Sequence, residues 1–174
     1  VKLAKIGDTE EMISSLYETV VGRSEGRMPS DERIFLMFFG INRARKLRTG
    51  RIYDEDRNGE LSAIEMLQKI ILNGPKYGIN SIVWGESLKS IELMLGDRYD
   101  AMFDKRIAFG LDEESMDILV AESEAKAIHG KTAVYMDIAR DVKNTHFRPY
   151  DVPAKVWVER YAETYEEVIG EGGY

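Results

Sequence analysis

The chain has 174 residues, a formal net charge of −7, 44% hydrophobic and 32% charged residues, and no cysteine. That is the length of one domain, enough to bury a real core, and the composition excludes a disulfide framework and thiolate metal sites. No run reaches the roughly 18–20 apolar residues of a membrane span, and the acidic balance argues against a surface that is one continuous nucleic-acid footprint.

Asp8 followed by Glu11 suits a helix N-terminus, and Met12, Ile13, Leu16, Val20 and Val21 fall on one helical face. An amphipathic helix is therefore expected over 9–21. Residues 22–30, with Gly26 and Pro29, read as a loop. Ile34–Phe39 is a continuous apolar run, the pattern of a parallel strand buried on both faces. After a polar stretch, Ser62 and Glu65 form a capping-box pair opening a helix that stops at Asn73-Gly74-Pro75.

Gly78 precedes a second strand over 80–84, and Ser87 caps a short helix through Leu95. A further helical turn over 99–103 leads into a third strand, 105–109, and Asp112 caps a helix through Val120. The runs 132–138 and 145–148 read as a hairpin. Pro153 suits the first turn of a last helix with Val156, Trp157, Tyr161, Tyr165 and Val168 as its apolar stripe. Trp84 and Trp157 sit on apolar patterns and are expected in the core. Strands alternating with helices give an α/β fold: three parallel strands flanked by helices, then a hairpin and a helix. The expected divisions are 1–30 (helix and loop), 31–150 (core) and 151–174 (helix and tail).

Several strings carry chemistry and a plainer reading side by side. Asp54, Asp56, Asn58, the Glu60 carbonyl, Ser62 and Glu65, with Gly59 at the turn, fit an EF-hand calcium loop position by position. The same residues make a solvated acidic turn followed by a helix cap. Arg43, Arg45, Lys46 and Arg48 form a basic knot just past the first strand, where α/β sheets gather ligands. It suits DNA phosphates or a neighbouring subunit's nucleotide, and equally a solvated face balanced by the acids after it. Gly130-Lys131-Thr132 ends like a phosphate-binding loop, but Ala125 replaces the first glycine, and a helix precedes where a strand is needed. His129 and His146 lack any nucleophile or metal-ligand spacing.

The strings Gly78-Ile79-Asn80-Ser81-Ile82-Val83-Trp84 and Arg106-Ile107-Ala108-Phe109, followed by Asp112, Ser115, Ile118 and Leu119 and then by Ala133-Val134-Tyr135-Met136, occur in this order. Over about residues 30–150 the chain thereby resembles the FtsK/SpoIIIE family of DNA-pumping, RecA-like P-loop ATPases, specifically the C-terminal half of their core. The resemblance implies ATP and Mg²⁺ in an intact parent, a phosphate-binding loop upstream of Val1, an upstream motor domain, neighbouring subunits in a ring-type oligomer, and DNA or a polypeptide as the polymer partner. The start at Val1 agrees with a piece of a longer protein, and the composition with a cytoplasmic one that makes no membrane contact.

The same resemblance places Phe39, Gly40, Gly85, Glu86 and Arg106 near the nucleotide. Working members end the first strand in Asp-Glu, which organise Mg²⁺ and the attacking water. Here Phe39-Gly40 stand in their place, and Gly85-Glu86 replace a Thr-Gln sensor turn. Arg106 either reaches an adjacent subunit's nucleotide or pairs with a nearby acid such as Asp104. The chain therefore reads as a hydrolysis-deficient, assembly-serving domain, with a calcium-binding module organised by 54–65 as the alternative.

Overall fold

The structure, a computed structural model, describes residues 5–44, 47, 61–120 and 130–171. Helix α1 (Thr9–Ser24) leads to strand β1 (Ile34–Phe39), and helix α2 (Ala63–Asn73) lies between β1 and strand β2 (Ile79–Trp84). The two strands pair in parallel from Ile34↔Ile79 to Phe39↔Trp84, a connection that needs a crossover element. Ser62 starts α2 by a capping box: its hydroxyl accepts from the Glu65 N–H while its own N–H donates to the Glu65 carboxylate at 2.7 Å. Ile64, Leu67, Ile70 and Ile71 then face inward at helical spacing, against Ile13 and Val20 of α1, Leu36 of β1 and Ile79 of β2.

Buried Arg23 ties the end of α1 to both strands. Its Nη1 donates to the Glu32 carbonyl at 2.9 Å and the Tyr77 carbonyl at 2.8 Å, joining the segments that enter β1 and β2.

Helix α3 (Leu88–Leu95) opens on a Ser87/Ser90 capping box and adds Met94 and Leu95 to the same core. Strand β3 (Lys105–Phe109), helix α4 (Glu113–Val120), strand β4 (Ala133–Asp137) and strand β5 (Val142–Phe147) build a second cluster of Ala108, Met116, Leu119, Val134 and Met136. Leu88 packs against both clusters. The expected β4–β5 hairpin is present and antiparallel, turning at Asp141 in the left-handed region (φ 53°). Helix α5 (Lys155–Glu171) closes the chain.

The fold is α/β, but the third strand corrects the expected three-stranded parallel sheet. β3 pairs antiparallel with β4, in the order β3-β4-β5, while β1 and β2 form a separate two-stranded sheet. Strand β3 alternates between exposed and covered residues, with Ala108 inward and Lys105, Ile107 and Phe109 outward, as in a half-buried antiparallel strand. β1 differs too. It alternates, with Leu36 buried and Phe35, Met37 and Phe39 exposed, because its covering helices pack on one face only. Trp84 and Trp157, expected in the core, are 49% and 59% exposed.

Smaller differences are local. Helix α1 continues through Gly22, where a Cβ would lie 2.9 Å from Met28 Cγ, so the expected loop begins only after Ser24. Asp8 precedes that helix without a side-chain capping bond. The segment set apart as 1–30 shares its core with β1 and β2. Pro153 lies just before α5, whose first turn is anchored on the Ala154 carbonyl by the Trp157 N–H at 2.9 Å.

Candidate functional site at the carboxyl ends of the parallel strands

Parallel strands present their carboxyl ends as a ligand-gathering edge. Here that edge is shaped by two glycines. Gly40 takes φ 69°, which costs a side-chain-bearing residue strain, and its N–H donates to the Trp84 carbonyl at 3.1 Å. The chain then turns through a short 3₁₀ segment, Ile41–Arg43, with the Arg43 N–H on the Gly40 carbonyl at 2.9 Å. Gly85 lets α3 close over the end of β2: a Cβ there would come within 2.4 Å of Ile91 Cγ1.

The turn delivers Arg43 to the residue after Gly85. Its Nη2 meets Glu86 Oε1 at 3.2 Å, an ion pair in which both side chains are more than half exposed. Asn42 Oδ1 lies buried beside it in the chain with no hydrogen-bond donor. Phe39, Gly40, Gly85 and Glu86 thus lie together at this edge, and Arg43 joins them. Phe39 and Gly40 offer no side-chain oxygen to a cation, and the Glu86 carboxylate already faces a guanidinium. The side chains described at this edge do not supply the two carboxylates that Mg²⁺-dependent hydrolysis uses.

Arg106 is engaged elsewhere. Its guanidinium donates to the carbonyls of Leu119 (2.8 Å), Phe103 (3.3 Å) and Asp100, pinning the end of α4 and the turn before β3. Of the basic knot, Arg43 is described, whereas Arg45, Lys46 and Arg48 lie outside the described residues. Of the calcium string, Asp54, Asp56, Asn58 and Glu60 also lie outside them, and Ser62 and Glu65 bind each other in the α2 cap. Among the described residues no group of three His, Asp or Glu side chains is placed to hold a metal ion. His129 is likewise outside; His146 is exposed on β5, and Lys131 pairs with Asp151 at 3.2 Å.

Sequence reasoning missed two features. One is the uncovered sheet face, where Phe35, Met37, Phe39, Ile82 and Trp84 point away from α1, α2 and α3. The unbroken apolar run of β1 carries no local signal that one of its faces is left bare. The other is Asp137, buried at the end of β4, whose Oδ2 accepts from the Tyr135 hydroxyl at 3.0 Å and lies 3.8 Å from Arg140 Nε. Burial, and then the bond to Asp137, push the Tyr135 hydroxyl above its ordinary pKa. The period-two spacing of Tyr135 and Asp137 within a strand is its only trace in the sequence.

No protein-family model, curated protein or solved structure matches the chain.

Proposed function

We propose that this chain is a non-hydrolysing α/β assembly module of an FtsK/SpoIIIE-like motor. The observation that carries this reading is the edge formed by Phe39, Gly40, Gly85 and Glu86. It occupies the ligand-gathering end of a parallel strand pair, yet its described residues supply neither the cation-binding nor the water-polarising carboxylate. The parallel β1–α2–β2 unit agrees with the RecA-like half-domain that the sequence resembles. In this reading the phosphate-binding loop that holds ATP and Mg²⁺ belongs to an upstream motor domain, and the assembly handles DNA or another polymer.

The role left to this chain is packing between motor units in a cytoplasmic oligomer. Among the described residues no helix is long and apolar enough to cross a membrane.

A phosphate-release assay with Mg-ATP tests the reading. The purified chain is expected to show no turnover above the protein-free blank, with and without DNA. Saturable ATP turnover that co-purifies with the chain and vanishes on Glu86→Gln would overturn it, because the carboxyl edge would then be catalytic.

A further inference from the structure

The uncovered face of the parallel sheet is apolar apart from Asn80, which lies opposite Phe35. Met37 lies opposite Ile82 and Phe39 opposite Trp84 in register, and the Trp84 ring meets that of Phe109 at 5.8 Å between centroids. The patch therefore runs from the parallel pair onto β3, where Ile107 shares the outward side with Phe109. These side chains, with Phe35, are between 44% and 68% exposed. At about 100 Å² each they leave on the order of 700 Å² of apolar surface in water. That exceeds the ~300–600 Å² of the largest patch on a typical monomer, and is close to the ~800 Å² one partner gives to a standard protein interface.

The same chain carries a second apolar surface that can cover it. Every described side chain of α5, through Glu163, is exposed, including Val156 (66%), Trp157 (59%) and Val158 (47%). The Trp157 ring stacks on Tyr161 at 5.4 Å, making one flat aromatic block one turn long. The helix hangs on an arm, 148–154, in which Tyr150 and Val152 are almost wholly in solvent. That arm starts beside the patch. Phe147 pairs with Ala133 and Ala133 with Phe109, so β5 ends two strand spacings, about 10 Å, from the Phe109 end of the patch.

We propose that two copies of this chain exchange their C-terminal helices, the Val156–Trp157–Tyr161 face of each α5 covering the Phe35–Met37–Phe39–Ile82–Trp84 face of the other. A two-fold exchange satisfies both surfaces of both chains and closes on itself. With sheet face and helix counted on each side, it buries on the order of 2,000 Å², within the range of stable dimers. The inference rests on the assembly reading and names its partner as a second copy. The two fail separately, since ATP turnover would sink the first without affecting the self-association measured here.

Sedimentation equilibrium from about 1 to 100 µM, with Met37→Asp on the sheet and Trp157→Asp on the helix, tests it. The unmodified chain is expected to dimerise with concentration, and each variant to weaken dimerisation at least about tenfold. Both positions are exposed, so neither change empties a core; Val156→Asp provides a second helix variant. Mixing donor-labelled Met37→Asp with acceptor-labelled Trp157→Asp should restore energy transfer, since that pair retains one intact helix–sheet contact. A monomer at all these concentrations, including one whose α5 folds onto its own sheet, would overturn the proposal. So would a dimer that ignores either substitution, or variants that fail to complement each other.

Discussion

At Gly85 the space for a side chain is already taken by Ile91, 2.4 Å from where a Cβ would stand. Gly85→Ala is therefore expected to lower stability by about 1–3 kcal/mol, the usual cost of overpacking, read as a lower denaturant midpoint at unchanged slope. An unchanged midpoint would show that α3 does not close over β2 in this way. The Arg43–Glu86 pair beside it is exposed on both sides and contributes at most about 1 kcal/mol. The glycine and the acid of this turn are singled out in the sequence only by the family resemblance, since the contact of Gly85 with Ile91 is not written in any local pattern. The role of Arg106 is not legible there either. Its acceptors are backbone carbonyls of Asp100, Phe103 and Leu119, which any side chains at those positions would supply. Arg23 is hidden for the same reason, with its acceptors on Glu32 and Tyr77.

Element starts are legible wherever a short polar side chain caps its own helix, as Ser62, Ser87 and Asp112 do, because those bonds span three residues and lie in the string itself. At α4 the Ser115 N–H donates to Asp112 Oδ1 at 2.7 Å, and this backbone bond holds the carboxyl below its ordinary pKa. A depressed folded-state value contributes stability above the unfolded value, and loses it as pH falls through the folded one. Asp112→Ala is expected to lower stability at neutral pH, and the difference to narrow as the pH falls and the carboxyl protonates. Urea midpoints of the two proteins at pH 7 and near pH 2 check this, and an equal gap at both would contradict it. Strand partnership is another matter. β3 has the expected residues but a different neighbour, since Lys105–Phe109 pairs with Ala133–Asp137 beyond the Asp112-capped helix, a long-range pairing that no local pattern announces.

For the whole molecule, the α/β alternation is legible in the apolar runs, and the β1–α2–β2 parallel unit agrees with it. The second sheet and the bare face are not. An unbroken apolar run such as Ile34–Phe39 is the mark of a strand covered on both sides, and here one of those covers is not supplied by the described chain. That mismatch between an apolar sequence and an exposed surface is the reason for reading the chain as a part that works against another chain. Its most direct test is the rate of peroxide oxidation at individual methionines, followed by mass spectrometry in dilute solution. Met37, 56% exposed on the sheet face, should oxidise at least about tenfold faster than Met94 and Met116, at 4% and 2%. Met37 protected to the level of Met94 in the dilute monomer would contradict the account.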